Sequence, residues 1–154
     1  MADPLLDKSR PDDAHTEARL AAEPVIWLGT ASPQARPHHV PVWFCWRDPE
    51  VLIFSMPATL KARHLRRNPQ VALTLDSAAG GQDIVLAEGR ARLGPAGTVD
   101  ELAPLFAGKY AAMLGTGSSL EQWRSTFSLP VLVTVSRIVA WTRQDGQVRY
   151  RSVP

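Results

Sequence analysis

Apolar positions along the chain come in short runs separated by turn-forming residues, the pattern of closely spaced strands. VIWLGTA (25–31) is apolar and β-branched, SPQAR (32–36) turns, HHVPVWFCW (38–46) is apolar again, RDPE (47–50) turns, and VLIFSM (51–56) follows. These three strands predict an antiparallel meander. VALTLD (71–76), DIVLAEGRARL (83–93, interrupted at Gly89), LPVLVTVSRIVAW (129–141) and VRYRSV (148–153) supply further strands. SAAGGQ (77–82) reads as a loop and Asp145-Gly146 as a hairpin turn. The period lengthens at Leu102, Leu105, Phe106, Tyr110 and Met113, which predicts a helix over about 99–113. Gly115 to Ser118 breaks it, and a short helix is expected over 120–124. Two more short helices are expected, one over about 15–22 ending before Pro24, the other after Pro57 and Thr59 and closed by Asn68-Pro69. Residues 1–13 carry two prolines and scattered charge without a period, and are expected to be a mobile tail ahead of a single domain over 14–154. Six to seven mostly antiparallel strands with helices inserted between them predict a mainly β fold, a barrel with helical additions.

Composition adds mostly exclusions. At 154 residues, 45% hydrophobic and 21% charged, the chain has the balance of one globular domain. No apolar run is long enough to cross a bilayer, and the N-terminus lacks the apolar core of a secretory signal. The single cysteine, Cys45, rules out an internal disulfide and argues against structural zinc. A cytoplasmic location is expected. The formal net charge of +2 is too small to indicate nucleic acid, and the one basic run is short and lacks a platform of exposed aromatics. His38 and His39 have no carboxylate or cysteine at ligand spacing, so no metal site is expected.

Two features point to chemistry. Strand 38–46 is apolar on both faces: Val40, Val42, Phe44 and Trp46 on one, His39, Pro41, Trp43 and Cys45 on the other. A barrel interior covers one face; the other requires a flat ligand, a partner subunit or a helix of the same chain. Pro41 cannot donate to a ladder and marks an edge or a bulge. The second feature is KARHLRR (61–67), four formal positive charges and a histidine with no acid, placed at the start of a short helix. Such a start attracts phosphate, with Thr59 offering a hydroxyl, Lys61 an ammonium and Arg63 a planar fork. A solvated basic face is the alternative reading of the same run.

The succession EPVIWLGTASPQARPHHVPVWFCW, VLIFSMPATLKARHLRRNPQVALTLD and DIVLAEGRARL resembles the pyridoxamine 5′-phosphate oxidase-like superfamily of split β-barrels. The resemblance covers residues 17 to 142. It rests on Arg36-Pro37 at the opening of the second strand, the K-x-R-x-L-R-R-N-P run from Lys61 to Pro69, and the A-E-G at 87–89. Within the superfamily it is closest to the flavin/deazaflavin oxidoreductases associated with coenzyme F-420. The resemblance implies a split barrel of the FMN-binding-protein type, forming a homodimer with cofactor sites at the interface. The tricyclic ring would lie along Val40, Pro41, Val42 and Trp43, and the phosphate on Thr59, Lys61, Ala62 and Arg63. Ser55, Arg67 and, toward the interface, Gln82 would complete the cofactor contacts. It further implies hydride transfer to or from a small conjugated or quinone-like substrate, with no catalytic side chain. The alternatives left open are FMN in place of the deazaflavin, and a protein that binds cofactor without turnover. The long C-terminal segment and arginine-rich substrate site of pyridoxamine phosphate oxidases proper are not seen, which argues against the vitamin B6 reaction.

Overall fold

A computed structural model of the chain describes residues 3–75, 78, 80–95, 97–114, 120–144 and 146–153. Among them the strands are β1 (Val25–Ala31), β2 (Pro37–Trp43), β3 (Cys45–Arg47), β4 (Glu50–Ser55), β5 (Gln70–Leu75), β6 (Asp83–Leu93), β7 (Leu129–Gln144) and β8 (Gln147–Val153). The helices are α1 (Pro11–Ala22), α2 (Leu60–Leu65), α3 (Gly97–Leu114) and α4 (Leu120–Thr126). All strand pairs are antiparallel, in the order β2-β1-β5-β6-β7-β4-β3 with β8 on β7. The fold is mainly β with helices, a curled sheet of the split-barrel type. Eight strands are seen where six to seven were expected because the 38–46 run breaks at Phe44 into β2 and β3.

The parity of each strand explains the layers. Ile26 and Leu28 of β1, Phe44, Trp46, Val51, Ile53, Leu73 and Val133 point into one core inside the curl. Their neighbours Cys45, Leu52, Phe54 and Leu132 point outward into a second core, closed by Val99, Leu102, Phe106 and Tyr110 of α3. Residues 51–55 of β4 are therefore all buried, the mark of a strand covered on both sides. Gly89 sits at a bulge in β6, where a Cβ would collide with the Thr134 carbonyl and crowd Val133 and Val135, so only glycine fits.

The segment expected to be a mobile tail is docked. The Leu5 and Leu6 amides both donate to the Asp48 carboxylate at 2.8 Å, and Leu6 is buried in the inner core. α1 starts at Pro11, earlier than expected, with proline at the first helical position and Asp12 and Asp13 in the first turn. Asp13 pairs with Arg151 of β8, and Asp83 at the head of β6 pairs with His15 and Arg19, which together fasten α1 to the sheet. The expected breaker at 115–118 and Asp145 lie outside the described residues. Gly146 follows with φ +77, and Gln144 pairs with Gln147.

Candidate functional site

β2 is a free edge of the sheet, and its prolines at 37 and 41 suit that position. Beyond this edge lies a cleft of about 390 Å³ lined by Val25, Pro41, Val42, Trp43, Phe54, Lys61, Trp123 and Phe127. Each wall has a local cause. Pro41 stands exposed on the strand, Val42 packs inward, and Trp43 turns outward onto α3 and α4. The far wall comes from α4 and the residue after it, where Trp123 and Phe127, four apart, stack with centroids 4.5 Å apart. The Trp43 ring lies parallel to that of Tyr110 at 4.5 Å and nearly parallel to that of Trp123 at 5.7 Å.

Lys61 is the one ionisable residue in this lining. It is half-buried and makes no hydrogen bond or ion pair among the described residues. Burial pulls its pKa below the ordinary lysine value. A half-buried cation without a counterion, beside an apolar cleft, is suited to an anionic group carried by a flat apolar ligand.

The other phosphate contacts expected at this turn are arranged differently. Thr59 caps α2: its Oγ1 accepts the Ala62 amide at 3.4 Å and lies 3.1 Å from both the Met56 carbonyl and Ser55 Oγ. Ser55 is buried and donates to the Met56 carbonyl, and Ala62 is fully buried. Hydroxyl and amide therefore already serve the helix start. Arg63 of α2 and Arg67, two residues past its end, lie away from the cleft lining, where with Arg66, Leu60, His64 and the Pro33-Gln34 turn they line a groove of about 530 Å³. Val40 is half-buried opposite Leu28 and does not line the cleft. Gln82 is exposed in the turn before β6, its carbonyl accepting the Arg143 amide, and it too lies outside the cleft lining.

The structure thus brings Pro41, Val42, Trp43 and Lys61 together. It adds Val25, Phe54, Trp123 and Phe127, which the sequence reading did not assign to the site. Part of the doubly apolar strand is covered by the chain's own helices, since Trp43 and Cys45 belong to the second core, while His39 and Pro41 stay exposed.

Residues 12–141 match the family described by pyridoxamine 5′-phosphate oxidase. The chain belongs to this family. No curated protein matches it. Among solved structures it is similar to a conserved hypothetical protein from Mycobacterium tuberculosis, with 20% identity and a TM-score of 0.65 over 86% of this chain and 88% of that one. An FAD-binding protein from Mesorhizobium loti is 18% identical with a TM-score of 0.64, covering 82% and 90%. An F-420 reductase is 18% identical with a TM-score of 0.59, covering 77% and 92%. Likeness at these identities shows the split-barrel fold. No helix among the described residues is long and apolar enough to cross a membrane.

Proposed function

We propose that this chain is an oxidoreductase holding a flavin-type cofactor in the cleft beside β2, with the deazaflavin coenzyme F-420 as the preferred form. The observation that carries the reading is Lys61, a half-buried cation without a counterion at an otherwise apolar cleft. The tricyclic ring would lie along Pro41, Val42 and Trp43, and Lys61 would hold the phosphate. Bound there, the cofactor would supply hydride transfer to or from a small conjugated substrate. The chain's part is to orient the ring against the strand edge and to keep water out with Phe54, Trp123 and Phe127. No side chain of the lining other than Lys61 can hold a proton, so no general acid or base is assigned.

The groove across α2 favours the deazaflavin over FMN. Three arginines, Arg63, Arg66 and Arg67, line it. The oligoglutamate tail of F-420 offers charges to meet them, whereas FMN ends at its phosphate. Thr59, Ser55 and Ala62 act in this reading as the cap that orients α2 rather than as direct phosphate donors. The reading includes a homodimer. Ile84, Trp141 and Tyr150 stand in register across β6, β7 and β8, and Tyr150 and Val148 are 65% and 64% exposed, an apolar face suited to a second copy. Sedimentation at micromolar concentration tests it, and a monomer refutes it.

Titration with F-420 and with FMN, followed by fluorescence, tests the cofactor. F-420 should bind more tightly, and Lys61→Ala should weaken it by about 1.5–3 kcal/mol, the scale of a charged hydrogen bond. Shortening the oligoglutamate tail should weaken it further. Absence of binding by either compound refutes the reading; tighter binding of FMN reverses the preference.

A further inference from the structure

Among the residues lining the α2 groove, His64 alone is buried, and it alone belongs to the type whose charge changes near neutral pH. Its Nδ1 lies 3.1 Å from the Thr30 hydroxyl of β1, and the His38 ring of β2 meets its ring edge-on at 5.9 Å between centroids. Its backbone carbonyl accepts the Arg67 and Asn68 amides at 2.9 and 2.7 Å, so the residue is held from both ends. The charges around it are of one sign. Arg63, Arg66 and Arg67 line the same groove, and Lys61 precedes it by three positions. The turn between β1 and β2 brings Gln34 and Arg36 but no acid. On β6, which also packs against α2, Arg90 and Arg92 are exposed and Glu88 is engaged by Arg137 at 3.5 Å. No carboxylate among the described residues lines the groove.

We propose that His64 is a proton-linked member of the groove: it takes a proton from solvent as an oligocarboxylate tail binds among the arginines. The groove then grips that tail more strongly as the pH falls from about 8 to about 6. The identity of the occupant as the oligoglutamate tail rests on the cofactor reading above, while the linkage itself needs only a chain of carboxylates. The physical basis is the difference between two states of one groove. Empty, it offers an added positive charge three guanidiniums and little water; filled with carboxylates, it offers the opposite field. That difference couples proton to ligand, and the coupling is reciprocal, each strengthening the other by the same factor. The Thr30 hydroxyl suits such a ring. It can donate to a neutral Nδ1 and accept from a protonated one, so His64 changes charge without losing its partner. Fixed arginines would hold the tail at any pH; His64 adds a cation that exists only when the tail is there to meet it.

The probe is tetra-γ-glutamate, a free tail without ring or phosphate, whose carboxylates stay ionised from about pH 6 upward. The ring-proton NMR signals of the four histidines, His15, His38, His39 and His64, are titrated with and without the probe at millimolar concentration. The probe should raise the proton affinity of His64 about tenfold, well within the usual range of coupling between sites, and that of the other three by less than about threefold. Reciprocally, the probe should bind about fivefold more tightly at pH 6 than at pH 8. His64→Gln, which keeps a partner for Thr30, should abolish this dependence, and His38→Gln should preserve it. A His64 signal unmoved by the probe, equal movement of all four signals, or a pH dependence that survives His64→Gln overturns the inference. If His64→Gln fails to fold, the four signals in the unaltered protein decide it. Failure of both F-420 and FMN to bind would refute the cofactor reading instead, and the free tail, which needs no cleft, still decides the linkage.

Discussion

On α3, the Lys109 ammonium lies 3.8 Å from the centre of the Phe44 ring and 5.8 Å from that of Tyr110, sealed from solvent and without a hydrogen-bond partner among the described residues. Two effects oppose each other there: attraction to the ring faces, worth about 0.5–2 kcal/mol, and the loss of the ammonium's hydration. Burial dominates, because it pulls the Lys109 pKa from 10.5 to about 8 against the opposing pull of Cys45 and Glu23. Each pKa unit corresponds to about 1.4 kcal/mol. The stem of the side chain is partly open to solvent, and screening reduces the total to about 1–2 kcal/mol. Methionine keeps the length and flexibility of the stem without the charge, so Lys109→Met should stabilise the protein by about 1–2 kcal/mol at pH 7. The pH dependence supplies a second check. Between pH 8 and 10.5 the unfolded chain keeps a proton that the folded chain has released, so stability rises with pH. Cys45 acts in the opposite sense from pH 9 upward, since burial lifts its thiol from 9.0 to about 11 and the unfolded state ionises first. Urea unfolding between pH 7 and 9, followed by tryptophan fluorescence in a Cys45→Ala background, isolates the lysine. Stability should rise with pH when Lys109 is present and stay level with methionine. A less stable Lys109→Met protein, together with a level profile for the parent, would show that ring attraction outweighs desolvation.

Tyr110→Phe leaves the buried Phe44 amide without its acceptor and should cost about 1–3 kcal/mol in the same assay; a loss under 0.5 kcal/mol would mean that water or a shift of the backbone replaces the hydroxyl. Gly89→Ala forces a methyl against the Thr134 carbonyl and should destabilise by about 3 kcal/mol or prevent folding, and native-like stability would contradict the bulge. Asp48→Ala removes the acceptor of the Leu5 and Leu6 amides. Those amides should then exchange with solvent at close to the unfolded rate, and retained protection would show that Leu6 burial alone holds the segment.

Local pattern carried the strands well and the site only in part. Alternation and turn residues identify β1, β4, β5, β6 and β7 because each depends on neighbours in sequence. The two apolar faces of 38–46 correctly signal two covers, yet an apolar surface does not name what covers it. Here the cover of Trp43 and Cys45 is a helix that begins more than fifty residues later, at Gly97. Lys61 stands out in the sequence as part of a basic run. That Arg63 and Arg67 line another groove depends on where the short helix begins at Leu60, with Thr59 as its cap, and where it ends, at Leu65. A threonine at a helix start serves a ligand and a cap with the same oxygen, and only packing with Ser55 and Met56 reveals which use it has. Trp123 and Phe127 carried a readable signal, two aromatics at helical spacing, but which surface they would meet depends on how the 97–128 insertion folds back.

β7 is the only link in the ladder between β6 and β4 among the described residues, pairing eleven residues with one and six with the other. It also follows both of them in sequence order. During synthesis, a nascent polypeptide that has emerged no further than residue 128 can form the β2-β1-β5-β6 sheet and the β3–β4 hairpin, but it has nothing with which to join their edges. Two open edges and the unfilled inner core would then wait on the arrival of Val131, Val133 and Val135. Until β7 pairs, those edges make the partly assembled sheet more open to edge-to-edge association than the finished one.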